Sequence, residues 1–177
     1  VCLIALGAAT LALSGPASAE TKLEARYTAA LAGIPLGTGT WVIDFVADQY
    51  TAIATGHTTG LIKLISDGSG TTAAKGAIQG ANVIASNYVS HTVSDKKDDD
   101  VRIGLQGGVV KDATAIPPLD PAPDRVAVTE AHRKGVTDPM SAMLMPVAGK
   151  GDLVVPEACK RRLAIFDGRQ RADIELV

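Results

Sequence analysis

The residues of this 177-residue chain that could do chemistry are three histidines, a glycine-flanked serine, an acidic run, a late arginine cluster and Cys159. His57, His91 and His132 are scattered, with no H-E-x-x-H or C-x-x-C spacing to set two ligands on one metal. His57 and His91 fall in strand-like stretches, where they either point into one cavity or stand as ordinary polar-face residues. Ser69, between Gly68 and Gly70, lacks the G-x-S-x-G elbow that exposes a nucleophile. From Gly70 to Gly76 the order of a phosphate loop is missing, because Lys75 precedes its glycine. Asp95-Lys96-Lys97-Asp98-Asp99-Asp100 reads as a solvated hairpin tip, without the glycine bend of a calcium loop. No catalytic residue, metal or cofactor is therefore expected. Arg161, Arg162, Arg169 and Arg171 flank the Asp167-Gly168 turn, and guanidinium groups on a hairpin can fork onto carboxylates or phosphates. A solvated hairpin face is the alternative. Arg169 and Arg171 are the candidate anion contact.

The elements that would position these groups have a period of two. Leu23, Ala25, Tyr27, Ala29 and Leu31 share one face, with Glu24, Arg26 and Thr28 on the other. After the turn formers Gly33 to Gly37, Trp41, Ile43 and Phe45 alternate in the same way over 40–46. A third strand is expected over 50–59, a short helical turn over 61–65, and further strands over 69–79, 82–93 and 101–105. Pro117, Pro118, Pro121 and Pro123 mark 107–124 as an extended surface loop, since proline cannot donate to a ladder. Asp138-Pro139 opens a helix as N-cap and first helical residue, with Met140, Met143 and Leu144 as its apolar stripe. Leu163 to Phe166 and Arg169 to Leu176 read as a hairpin about Asp167-Gly168. The expected fold is mainly β: a curved antiparallel sheet or open half-barrel with one or two short helices.

Val1 to Leu13 are apolar and uncharged, Ser14-Gly15-Pro16 break the run, and Ala17-Ser18-Ala19 offers a small-residue cleavage site. That order reads as a secretory signal peptide over 1–19, cleaved between Ala19 and Glu20, which leaves a single β-rich domain over 20–177 in the periplasm. The run is too short to span a bilayer, so no transmembrane segment is expected after cleavage. Seventeen basic against nineteen acidic residues give a net charge of −2, with 3% aromatics. Neither the charge nor the stacking groups needed for nucleic acid are present. In an oxidising compartment the single mature cysteine, Cys159, is reactive, bridged to another molecule, or missing its partner.

Three stretches, Gly33-Ile34-Pro35-Leu36-Gly37, Gly135 to Ala142 with its Asp138-Pro139-x-Ser141-Ala142 core, and Cys159 followed by Phe166-Asp167-Gly168-Arg169-x-Arg171, together resemble the bacterial domain of unknown function 3108. The resemblance covers nearly all of 21–177. It implies a Gram-negative envelope protein with a β-rich domain and brings no established activity. It also implies that strands continue past Val177, and that Cys159 forms a disulfide with a cysteine beyond it.

Export, few aromatics, an aliphatic strand face and a methionine-bearing helix point to a non-catalytic binding or carrier module for an apolar, lipid-like molecule. Trp41, Ile43, Phe45 and Met143 are the residues expected to line its cavity. A structural or interaction protein of the envelope is the second reading, and a hydrolase using His57 or His91 the third.

Overall fold

A computed structural model describes residues 20–60, 63, 67–95, 97–120, 122–123, 125–144 and 160–176. Alternating stretches separated by turn formers become seven strands that follow one another in space as in sequence. They are β1 Glu20–Leu31, β2 Ile34–Val46, β3 Gln49–Thr58, β4 Gly68–Gln79, β5 Asn82–Ser94, β6 Lys97–Gln106 and β7 Val109–Ile116. Each pairs antiparallel with the next, and β1 and β7 stand at opposite ends of an open sheet that does not close into a barrel. All connections but the β3–β4 one are two residues long. Gly107 and Gly108 both have positive φ (57° and 73°), the backbone that matches a turn to the twist of its flanking strands.

The register sorts side chains onto two faces. Leu23 lies opposite Ile43, and Ile43 opposite Ala52. The row continues through Ala74, Tyr88 and Ile103. This inner face carries the core: Ile43, Tyr50, Ala52, Ala74, Tyr88, Val101, Ile103, Leu105 and Val110 are buried. Its cover comes from later in the chain. Helix α1 (Pro139–Ala142) packs on β4 and β5, beside a separate hairpin of β8 (Arg161–Phe166) and β9 (Arg171–Leu176). Val136, Met140 and Phe166 enter the core from this cover, each buried apolar side chain contributing about 1.5–3 kcal/mol. The cover is stitched to the sheet and to itself through backbone groups. The Val136 amide donates to the Gly108 carbonyl at 3.0 Å, Thr137 to Ala164 at 2.9 Å, and Phe166 to Thr137 at 2.8 Å.

Several sequence expectations need correction. Residues 109–116 form β7 rather than surface loop, with Val110, Ala113 and Ala115 facing the core across a bulge that hides the alternation, and the prolines begin only at Pro117. The acidic run is not all hairpin tip: β6 starts at Lys97, and Asp99 lies largely buried within it. Positive φ at Ala32 and Gly33 makes the first turn, so Ile34 and Pro35 already belong to β2. The β8–β9 connection spans four residues, not two, with the Asp167 amide donating to the Gln170 carbonyl at 3.2 Å. The helical turn expected over 61–65 lies largely outside the described residues, as do the segment 1–19 and Cys159.

The β8–β9 turn is what grips the sheet. Asp167 Oδ1 accepts from the amides of Arg169 (2.8 Å) and Gln170 (2.7 Å). Gly168, at φ 96°, sits so close to Val101 that a Cβ there would lie 2.5 Å from its methyl carbon. Arg169 then forks onto Asp99, donating at 2.9 and 3.0 Å, and onto the Pro117 carbonyl at 3.0 Å. Lys97 first, and Arg169 second, hold the Asp99 carboxyl below the usual carboxylate range against the cost of burial. Arg169→Ala is expected to destabilise the fold by about 1–3 kcal/mol in urea denaturation, with Lys97 sustaining part of the charge balance. Arg169→Lys should recover only part of that loss, because the two-pronged geometry goes with the guanidinium.

Candidate functional site

Two places on the inner face could carry a function, and they differ in how completely they are closed. At the first, Asp138, Ser141 and Tyr50 form a buried polar chain. Asp138 caps α1: its Oδ1 accepts from the amides of Met140 (3.0 Å) and Ser141 (2.8 Å). Its Oδ2 accepts from the Ser141 hydroxyl at 2.5 Å. That donation commits the only serine proton, so the Tyr50 hydroxyl, 2.6 Å from Ser141 Oγ, is the donor to it. The chain therefore runs from Tyr50 O–H to Ser141 O–H to the Asp138 carboxylate, joining β3 to α1.

The sheet makes room for this chain with small residues. Ala52 and Ala74 lie fully buried beneath α1. Gly76 faces the Tyr50 ring, and a Cβ at Gly76 would stand 2.6 Å from the tyrosine oxygen. Burial sets the electrostatics. It pushes the Asp138 carboxyl up, opposed by the hydrogen bonds from Ser141 and from the backbone amides of α1. It pushes Tyr50 up to about 12, with the Asp138 charge adding to the rise and the Ser141 bond opposing it. Tyr50, Ser141 and Asp138 are thus partnered with one another and with the amides of α1. Its geometry is that of a lock.

The second place is the same face nearer β1. Ala25 pairs with Trp41 and Tyr27 with Gly39, and the Gly39 row continues through Gly56 and Gly70. The atoms nearest to a Cβ built on Gly39 or Gly56 are backbone atoms of the neighbouring strands, and the nearest to one built on Gly70 is the Thr92 methyl at 2.8 Å. Leu23 and Tyr27 point to this face and are 49% and 55% exposed, although Ile43 beside Leu23 is 2% exposed. Trp41 and Phe45 are half-buried at the border of the core, and the Trp41 Nε1–H is buried with no hydrogen-bond partner. The result is an apolar shelf floored by Gly39 and Gly56, with the Thr92 methyl closing over Gly70.

The residues singled out in the sequence divide accordingly. Trp41, Ile43 and Phe45 share the inner face as their alternation implies, but Ile43 is closed into the core. Met143 does not join them: it is the helix C-cap and 61% exposed. Four helical residues bury one flank only, and Met140 takes that flank. Arg169 and Arg171 do meet anions, and those anions are the protein's own. Arg169 holds Asp99, while Arg171 holds Asp173 at 2.7 Å and donates to the Lys134 carbonyl at 3.1 Å. His57 and His91 line one shallow cleft on the outer face with Ser69 and Thr71. His57 bonds Thr38 Oγ1 at 3.2 Å, His91 bonds Asp100 at 3.1 Å, and among the described residues neither ring bonds a serine. Tyr50 is the residue the sequence reading passes over. Its signal is weak, a tyrosine opening a strand of alternating small residues.

The chain belongs to DUF3108, a family of proteins of unknown function, which it matches over residues 26–177. No curated protein and no solved structure matches it.

The tyrosine in the lock yields a pH prediction. An unfolded tyrosine ionises near pH 10, whereas folded Tyr50 stays protonated to about 12. Between these values the unfolded state releases a proton that the native state keeps, so stability is full below pH 10 and falls as pH rises through 10–12. Tyr88, also raised by burial, adds to the same loss. Tyr50→Phe is expected to be less stable than wild type at pH 7, by about 1–3 kcal/mol for the lost hydrogen bond. It should also show a shallower loss between pH 10 and 12 in denaturant titrations.

Proposed function

We propose that this DUF3108 member is an exported periplasmic binding or carrier module whose ligand, an apolar lipid-like molecule, lies on the open half of the inner sheet face. The observation that carries the reading is the exposure of Leu23 and Tyr27 on the face that elsewhere forms the core. Apolar surface removed from water contributes about 25 cal/mol per Å², so a ligand covering this shelf gains what α1 and the β8–β9 hairpin gain over β3 to β6. Gly39 and Gly56, which carry no side chains, let a flat or flexible chain approach the backbone there. Export rests on the apolar run Val1 to Leu13 followed by Ala17-Ser18-Ala19.

The outer face supports a second reading. Val42, Ile53, Ala73 and Val89 lie in one row across β2 to β5, with Ile53 and Val89 exposed. An apolar row on the face opposite the core suits an interaction protein of the envelope.

The chain has one tryptophan, Trp41, at the edge of the shelf, which makes its emission a site-specific reporter. Titration with a long-chain fatty acid or lysophospholipid is expected to shift Trp41 emission to the blue and saturate. Leu23→Glu combined with Tyr27→Glu should weaken the response roughly tenfold or more while leaving urea stability within about 1 kcal/mol, since both side chains are exposed in the free protein. Saturable binding that the double variant leaves unchanged would contradict the site. Absence of any co-purifying or added lipid in native mass spectra would favour the interaction reading.

A further inference from the structure

We propose that His91, Asp98 and Asp100 form a binding site for a divalent transition-metal ion on the outer face. The sheet divides the acidic run by parity. Asp99 turns inward to Lys97 and Arg169, while Asp98 and Asp100 project together from the other side of β6. Directly across the ladder from Asp100 stands His91 of β5. Its Nδ1 lies 3.1 Å from Asp100 Oδ1 and 3.6 Å from Asp98 Oδ1, and the three donor atoms all lie within 4.8 Å of one another. Ligands bound at about 2.0–2.2 Å in a tetrahedral shell are separated by about 3.4 Å, a spacing that the two histidine–carboxylate distances bracket.

One neutral imidazole with two carboxylates is a nitrogen–oxygen donor set suited to zinc and its neighbours in the first transition row, and it balances the charge of a divalent cation. The donors stand on adjacent paired strands, so their backbone positions are fixed before any metal arrives. Two carboxylates converge on a single imidazole here, and among the described residues neither has an ion pair with lysine or arginine. Thr71 of β4 lies directly opposite His91, and the cleft beside it leaves room for water ligands or a donor from a partner. Bound metal would bridge β5 and β6 on the face opposite the Arg169–Asp99 clamp.

The test is calorimetric titration of the full chain, thiols alkylated, with zinc chloride alone, alongside His91→Ala, the double variant Asp98→Asn with Asp100→Asn, and His57→Ala. Wild type is expected to bind one zinc ion saturably. His91→Ala and the double asparagine variant should each lose roughly tenfold or more in affinity, and His57→Ala should bind as wild type. Zinc should raise the thermal midpoint of wild type and leave that of His91→Ala unchanged, because a ligand specific to the native state stabilises by mass action. The three ligand side chains are about half exposed or more, and far-UV circular dichroism confirms that each variant folds. No saturable binding to wild type, binding unaltered in His91→Ala, or an equal loss in His57→Ala overturns the assignment.

Discussion

A single sheet with one apolar face cannot stand in water, and this chain meets that constraint with a hydrogen-bonded lock 91 residues long in sequence. Tyr50 on β3 donates to Ser141 on α1, and Ser141 to Asp138, so a four-residue helix is held on the sheet by one buried polar chain. A helix this short has negligible stability of its own. Its existence depends on the cap from Asp138 and on the burial of Met140 in the core. Burying three polar groups is costly unless each is satisfied, and here each is. The lock thereby fixes which part of the inner face is covered.

A second constraint works from the other side of the cover. Phe166 fills the core, Asp167 shapes the turn, Gly168 allows contact with Val101, and Arg169 clamps Asp99. Four consecutive residues thus have four separate structural tasks. The same holds for Asp138-Pro139-x-Ser141-Ala142. Two of the three stretches that carry the resemblance attach the cover, whereas Gly33 to Gly37 belongs to the first turn and the start of β2.

Much of the fold was legible in the sequence because alternation is a local property. The strand faces of β1 and β2 follow from Leu23 to Ala29 and from Trp41 to Phe45, and the Asp138 cap from its neighbour Pro139. What was not legible depends on partners distant in sequence. The prolines at 117 and 118 obscured β7, whose pairing with β6 is visible only once the Gly107-Gly108 turn is formed. Arg169 looked available to an exogenous anion because nothing local shows that Asp99, 70 residues earlier, turns inward. Met143 and Met140 were equivalent on a helical stripe, and only the shortness of α1 separates them. Tyr50 could not be chosen from sequence, since its role rests on a serine 91 residues away.

The inner face of the sheet is covered where α1 and the β8–β9 hairpin pack and exposed at Leu23 and Tyr27 of β1, and the exposed part is the proposed seat of a ligand. Hydrogen–deuterium exchange of the full chain, with and without a saturating long-chain fatty acid, tests that division directly. The account predicts that in the free protein the amides of β4, β5 and β6 exchange slowest and those of β1 fastest. It further predicts that ligand slows exchange across residues 20–46 while leaving β6 and β7 unchanged. Ligand protection confined to the outer-face cleft or to β5–β7, or no protection anywhere at saturating ligand, would contradict it.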